Sequence, residues 1–130
     1  MNVTELLLCG GAAVVLSLHG GASAAALPQP YVRVAELQID PAQLERYTAS
    51  VKEEMETSVR VEPGVLAIYA VAERNNASSL RFFEMYVDEA AYRAHIGSPH
   101  FKKYVVATQD MIKSRRLIDT VPIQLSAKQP

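Results

Sequence analysis

Cysteine, tryptophan and runs of like charge are almost missing from this sequence of 130 residues. Its single cysteine is Cys9, and it has no tryptophan. A lone cysteine so close to the amino terminus excludes a disulfide framework, a thiol nucleophile and a thiolate metal site from the domain that follows. Lysine and arginine number 13 against 14 acidic residues, which gives a formal net charge of −1. Without a basic patch or run, nucleic acid and anionic membrane surfaces are not expected as partners.

The first 24 residues have the pattern of a secretory signal peptide. Leu6 to Leu18 are apolar or small, and Ala22-Ser23-Ala24 offers a small-residue cleavage motif. An apolar stretch of this length is shorter than the about 20 residues that span a bilayer, so no stable membrane anchor is predicted. The region before it carries Glu5 and no lysine or arginine, which is atypical. We therefore expect residues 1–24 to be removed on export, to the periplasm or the medium, leaving one domain at residues 25–130.

The first half of that domain predicts one strand followed by one amphipathic helix. Tyr31 to Ile39 alternate as strand residues do, and Asp40-Pro41 is a helix start in which the carboxylate caps and the proline fits the first turn. Apolar side chains then recur at three- and four-residue spacing: Leu44, Tyr47, Val51, Met55 and Val59. This spacing predicts a helix of about five turns with that stripe buried.

The second half predicts two strands, two short helices and a last strand. The segments are Val65 to Ala72, Leu80 to Val87, Asp88 to Ile96, a helix starting at Ser98-Pro99 with Met111 and Ile112 on its apolar side, and Arg116 to Leu125. Residues 74–79 are polar and predict the turn of a hairpin. Pro122 has no amide hydrogen, which restricts the last strand to a sheet edge or a strand end.

This order of elements, strand, helix, strand, strand, helix, strand, predicts the ferredoxin-like α+β fold, with four antiparallel strands and helices on one face. Large apolar residues occupy both faces of the third strand: Leu80, Phe82 and Tyr86 on one, Phe83, Met85 and Val87 on the other. The helices can cover only one of these faces. The uncovered face therefore predicts a homodimer that pairs sheet to sheet.

Two histidines beside a helix junction are the first candidates for catalytic residues. Gly97-Ser98-Pro99 separates His95 from His100, so the pair does not lie one turn apart on one helix and its spacing does not indicate a zinc site. His100 falls in a first helical turn, where the helix dipole favours the neutral imidazole, whereas His95 falls in a last turn. For each histidine the alternative role is a hydrogen bond to the backbone at the junction.

A glutamate and two tyrosines are the other candidates. Glu84 and Tyr86 alternate to the same strand face as Leu80 and Phe82. A carboxylate among such neighbours would have a raised pKa, unless it lies at an edge and reaches water. Tyr69 and Tyr86 could line a pocket or pack in the core.

The run EPGVLAIYAV, followed by FFEMYVDEAAYRAHIGSPHFKKYV, resembles the antibiotic biosynthesis monooxygenase family, and within it the quinol monooxygenases. The similarity extends from about Val32 to Pro122. It rests on Glu62-Pro63-Gly64, on Glu84 and Tyr86 before Asp88-Glu89-Ala90, and on His95 with Ser98-Pro99-His100-Phe101. The resemblance implies a dimeric ferredoxin-like α/β barrel.

Departures from the family pattern narrow the range of reactions expected of this protein. The haem-degrading branch has an asparagine, a tryptophan and an axial histidine where the resemblance aligns Leu37, Tyr86 and Val105, so haem degradation is disfavoured. Many quinol-oxidising relatives have tryptophan where Tyr86 stands. The isomerase branch has tyrosine there and shares the histidine pair, but its phosphorylated substrate is cytosolic and an exported protein would rarely meet it.

The resemblance therefore implies a cofactor-independent monooxygenase that oxidises a quinol or related small phenol with O2, using neither metal nor flavin. Two alternatives stay open: a dimeric module that binds a small aromatic ligand without turning it over, and a proton-transfer isomerase of the same fold. The expected catalytic residues are His100 as the base, His95 as the second choice, Glu84 to orient the base or share its proton, and Tyr86 to bind the substrate oxygen. The pocket is expected to include Phe82, Phe101 and Tyr69.

Overall fold

The domain has the element order βαββααβ, with two short helices in the place of the second helix of the ferredoxin-like pattern, and the computed structural model describes residues 28–128. The strands are β1 (Tyr31–Ile39), β2 (Val65–Glu73), β3 (Asn76–Tyr86) and β4 (Ile112–Asp119), and the helices are α1 (Leu44–Val61), α2 (Glu89–Gly97) and α3 (Pro99–Thr108). Single 3-10 turns at Pro41–Gln43 and Gln109–Met111 precede α1 and β4. The predicted signal peptide lies outside the described residues.

The strands form one antiparallel sheet in the order β2-β3-β1-β4. The inner strands are β3 and β1, and Ala35 of β1 pairs with Phe82 of β3 on one side and with Leu117 of β4 on the other. This topology is the ferredoxin-like fold, as the order of elements predicted. Among residues 28–128, no helix is long and apolar enough to cross a membrane.

The hydrophobic core lies between the sheet and the helices. On β3, the buried apolar side chains are Leu80, Phe82 and Tyr86, so the predicted division of that strand's large apolar residues into two faces is confirmed. They pack with Ala35, Leu37, Tyr47 and Val51, among others. On the opposite face, which the described helices do not cover, Tyr69 and Val71 are 64% and 62% exposed.

The buried stripe of α1 differs from the predicted one. Val59, placed in that stripe by its spacing, is half exposed, whereas Glu54 and Ser58 are buried. The true stripe follows Tyr47, Val51, Glu54 and Ser58. Two polar residues can occupy it because the Ser58 hydroxyl donates a hydrogen bond of 2.6 Å to Glu54 Oε1.

Two strand boundaries also differ from the prediction. β3 begins at Asn76, inside the predicted turn, because Ser79 is buried and its hydroxyl bonds to the Glu73 carboxylate across the hairpin at 2.8 Å. β4 begins at Ile112 rather than Arg116 and ends at Asp119, before Pro122. Helix α3 stops at Thr108, so Ile112 extends the sheet beside Ile39 instead of extending the helix.

Candidate active site

Two histidines from different helices converge on one carboxylate oxygen. His95 Nδ1 lies 2.9 Å from Glu62 Oε1, and His100 Nε2 lies 2.5 Å from the same atom. Ser98 Oγ is 3.1 Å from His100 Nε2. The three elements α1, α2 and α3 therefore meet at Glu62, which is the C-cap residue of α1.

Local sequence signals bring these side chains together. Asp88 caps α2 by accepting a hydrogen bond from the Ala91 amide at 2.8 Å, and Ser98 caps α3 by accepting one from the Phe101 amide at 3.3 Å. Gly64 permits the close approach of α2 to the end of α1, because a Cβ at that position would lie 2.5 Å from the Cβ of Ala91. Glu62 is thereby held against both histidines.

Glu62 is an ionised acceptor in this arrangement. Burial alone would raise the pKa of its carboxyl group, but the hydrogen bonds and charges of His95 and His100 outweigh that effect and lower the pKa below its ordinary value. A carboxylate on Nδ1 of His95 holds the hydrogen on that nitrogen when the ring is neutral, which leaves a lone pair on Nε2. His95 thus has the orientation of a general base.

Nε2 of His95 faces a second carboxylate. It lies 3.6 Å from Glu54 Oε1, and both side chains are buried, with His95 only 2% exposed. Every buried polar side-chain atom in the described residues has a hydrogen-bond partner. His95 thus lies between Glu54 of α1 and Glu62, the C-cap residue of the same helix.

A glutamate and a tyrosine on β3 form a further hydrogen-bonded pair beside the histidines. The Tyr86 hydroxyl donates a hydrogen bond of 2.8 Å to Glu84 Oε2, and the Tyr86 ring lies 5.4 Å from that of His95, centroid to centroid. Burial raises the pKa of Glu84, and the bond from Tyr86 offsets only part of that rise. Burial and the neighbouring Glu84 charge also raise the pKa of Tyr86, so this phenol remains a donor.

A cavity of about 100 Å³ lies between the sheet and the helices, beside these groups. Its polar lining residues are Arg33, Glu54, Glu84, Tyr92, His95, Tyr104 and Arg115, and its apolar ones include Leu37, Val51, Ile68, Phe82, Phe101 and Leu117. A smaller cavity of about 40 Å³ lies between α1 and α3. Glu54 and Tyr104 line both cavities, and the Tyr104 hydroxyl is held 2.7 Å from that of Tyr47.

The structure sorts the predicted site residues into three groups. Glu84, His95, Phe82 and Phe101 line the larger cavity, and Tyr86 is fully buried behind it. His100 lines the smaller cavity instead, so the first-choice base and the second-choice base face different spaces. Tyr69 does not line either cavity, since it alternates to the uncovered face of β2, away from Ile68.

Sequence reasoning missed Glu54 and Glu62 as site residues. Glu54 lies seven residues after Tyr47 and three after Val51, which is the spacing of the buried helix face, and this signal was available. Glu62 was named only within Glu62-Pro63-Gly64, one of the motifs on which the family resemblance rests. Its contact with two histidines, 33 and 38 residues away in the chain, depends on tertiary packing and has no local signal.

Three of these residues could also hold a metal ion. Glu54, His95 and His100 each offer one ligand atom, and these atoms lie within 4.8 Å of one another. The prediction from spacing was right that the histidines do not share a helix, but the fold brings the two rings within 6.3 Å, centroid to centroid. A metal at this place would have to compete with the hydrogen bonds to Glu62.

Comparison with known proteins gives a consistent picture. The family model described as antibiotic biosynthesis monooxygenase matches residues 30–107. A structure from Bacteroides thetaiotaomicron VPI-5482, assigned by name to these monooxygenases, is 47% identical, with 78% of this chain and 97% of that chain covered and a TM-score of 0.74. A structure from Lactobacillus acidophilus NCFM, assigned by name as a monooxygenase, is 31% identical, with 69% of this chain and 43% of that chain covered and a TM-score of 0.68.

A more distant structure supports the fold alone. The protein from Nitrosomonas europaea, also assigned by name to the antibiotic biosynthesis monooxygenases, is 17% identical, with 72% of this chain and 99% of that chain covered and a TM-score of 0.68. No curated protein matches the sequence.

Proposed function

Because this chain belongs to the antibiotic biosynthesis monooxygenase family, we propose that it oxidises a quinol or related small phenol with O2, without a metal or flavin, in the larger cavity. The observation that carries the proposal is the placement of His95. It lines an otherwise largely apolar cavity, and a carboxylate orients its ring from behind. Oxidation of a phenol by O2 needs a base that generates the phenolate and a dry space that holds it.

The reaction begins with removal of a proton from the substrate hydroxyl by Nε2 of His95. Glu62 accepts the Nδ1 hydrogen and stabilises the imidazolium that forms, as a carboxylate does behind a catalytic histidine. The electron-rich phenolate then reduces O2. In a monooxygenation, one oxygen atom enters the ring and the other leaves as water. A quinol supplies all four electrons by becoming a hydroxyquinone, so no external reductant is needed.

Glu84 has the properties of the proton donor in the second half of this reaction. Its raised pKa keeps a proton on the carboxyl group to higher pH than for an ordinary glutamate, and it lines the same cavity as His95. Tyr86 orients Glu84 through their hydrogen bond. In this scheme Tyr86 contacts Glu84 and not the substrate oxygen.

His95 replaces His100 as the proposed base. His100 borders the smaller cavity and reaches the reaction only through Glu62, whose carboxylate it shares with His95. Its role is to position Glu62. This assignment reverses the order of preference that the helix-dipole argument gave, because that argument considered the charge on each histidine and not which space it faces.

Oxygen uptake with a panel of hydroquinones, using protein stripped of metal, tests the proposal. His95→Gln should lower kcat by about 100-fold or more, since general-base catalysis contributes 10²–10⁴-fold. His100→Gln keeps the cavity intact and should cost about tenfold or less. An absence of uptake with a panel that binds would favour a binding module, and equal losses in the two variants would contradict the assignment of the base.

The proposed active form is a homodimer that pairs through the uncovered face of the sheet. Phe83 and Met85 are only partly buried there, beside the exposed Tyr69 and Val71. Together they form an apolar surface of a kind that soluble monomers rarely expose.

Export is also part of the proposal. It is supported by the apolar segment Leu6 to Leu18 and the small residues after it. Protein recovered from an exported fraction should begin near Ala25, and mass spectrometry would detect this. Exported protein that retains Met1 would contradict a cleaved leader.

A further inference from the structure

The larger cavity is too small for more than one aromatic ring. Its volume of about 100 Å³ is below the about 150 Å³ of an apolar cavity that holds benzene, so one edge of a bound ring would lie in the opening. The ring would contact Ile68, Phe82 and Phe101, which line the cavity with other apolar side chains. A substituent on such a ring must therefore extend toward the opening.

An unpaired cation stands at the exposed edge of the cavity. Arg115 and Asp119 of β4 pair in register with Leu37 and Arg33 of β1, so their side chains lie on the helix-facing side of the sheet. Asp119 neutralises Arg33 at 2.6 Å. Arg115 is exposed, lines the cavity and has no ion-pair partner among residues 28–128.

The two ends of the cavity therefore differ in the charged groups that line them. His95 and Glu84, which handle protons in the proposed reaction, are at its buried end, and the Arg115 guanidinium is at its exposed end. A guanidinium presents paired donors that fit a carboxylate, and the bond is stronger next to apolar walls than in open water. Arg33, the other cation in the lining, is already paired with Asp119, and the chain as a whole carries a formal net charge of −1, so we expect a preference for anions to come from Arg115.

We propose that the substrate is a monocyclic phenol that carries a carboxylate. The ring occupies the cavity with its hydroxyl toward His95, and the carboxylate binds Arg115 at the opening. This inference rests on the proposed function for the direction of the hydroxyl, but the binding preference itself does not require turnover. Arg115 is thus the residue that determines specificity, distinct from the groups that carry out the oxidation.

Calorimetric titration without oxygen tests the preference separately from catalysis. The probes are 2,5-dihydroxybenzoate and its neutral counterpart 2,5-dihydroxybenzamide, which differ mainly in charge. Wild-type protein should bind the acid about tenfold more tightly, a preference that should shrink as salt screens the exposed pair. R115Q should bind both probes equally, and R115K should keep part of the preference.

Arg116 provides the matched control. It is the adjacent arginine, alternates to the other face of β4 and lies 3.4 Å from Glu36, so R116Q should keep the wild-type preference. Equal binding of the two probes by the wild type, binding of neither, or a preference that survives in R115Q would overturn the proposal. Tight binding of the acid without later oxygen uptake would leave the anion site standing and contradict only the oxidation.

Discussion

His95 donates its Nδ1 hydrogen to Glu62 over 2.9 Å, a contact that joins the last turn of α2 to the end of α1. The same glutamate oxygen accepts a hydrogen bond from His100. One carboxylate thereby fixes the tautomer of the ring that faces the cavity and the position of the ring that does not. Glu62 is consequently the residue through which both histidines can be perturbed at once.

Replacing Glu62 with glutamine should lower kcat by about ten- to 100-fold and leave KM nearly unchanged. The amide oxygen can still accept the Nδ1 hydrogen, but a neutral amide stabilises the imidazolium less than a carboxylate does. Steady-state oxygen uptake measures both constants. Glu56→Gln, at an exposed position of α1, is the control that should behave as wild type. A wild-type kcat in E62Q would remove Glu62 from the mechanism.

The same substitution should change how stability depends on pH. The pKa of Glu62 is lower in the folded protein than its ordinary value of 4.5, so ionised Glu62 stabilises the fold above pH 4.5. That contribution is lost as the pH falls through the lowered pKa. Wild type should therefore exceed E62Q in Tm by more at pH 7 than at pH 3. Thermal melts that give a constant difference across this range would show that the histidine contacts do not stabilise the carboxylate.

Glu84 should show the opposite dependence. Its pKa is raised by burial, so the folded state favours the protonated form, and this contribution is lost as the pH rises through the raised pKa. E84Q mimics that protonated form and should gain Tm relative to wild type between pH 4 and pH 8. The control variant is E89Q, because Glu89 is exposed and pairs with Arg93 at the surface, and no such gain is expected for it. A Tm difference that stays flat would mean that Glu84 ionises like a surface residue.

Activity should survive removal of metal. Glu54, His95 and His100 could hold an ion, but both histidines already bond to Glu62, and the proposed chemistry takes all its electrons from the substrate. Oxygen uptake before and after treatment with a chelator, with metal analysis of the same samples, is the measurement. Stoichiometric metal in active protein, together with loss of activity on its removal, would show that these three residues are ligands.

A charge on the uncovered sheet face should disrupt the proposed homodimer. Phe83→Asp or Met85→Lys would place an ion in the predicted interface, and sedimentation should then detect monomer or aggregate in place of dimer. Val106→Lys is the matched control, because Val106 is 71% exposed on α3, outside the sheet. His100→Ala should also leave the dimer intact. A wild-type protein that sediments as a monomer at micromolar concentration would contradict the interface.

The fold was predictable because local patterns in this chain agree with the global topology. Strand alternation in β1 and the cap at Asp88 gave the bounds of their elements to within a residue, and the cap at Ser98 gave the start of α3 but not its end. The prediction failed where buried polar residues pair with each other. Ser79 in the sheet and Glu54 on α1 look like surface residues when each is considered alone.

The site was predictable in its residue types more than in its arrangement. His95, Glu84 and Phe82 were identified and do line one cavity. Which histidine faces that cavity could not be deduced, because it depends on how α2 and α3 pack against α1. Tyr69 was placed in the pocket on residue type, although its neighbour Ile68 takes the inward position on β2.

The two cavities are separated partly by the side chain of Tyr104, which is held in place by its 2.7 Å hydrogen bond to Tyr47. Burial raises the pKa of both phenols, so neither ionises near neutral pH to break that bond. The space available to a ligand is therefore limited by the hydrogen-bonded pair Tyr47 and Tyr104 as well as by the sheet. A shorter side chain at residue 104 is expected to join the two cavities into one, because Tyr104 lines both.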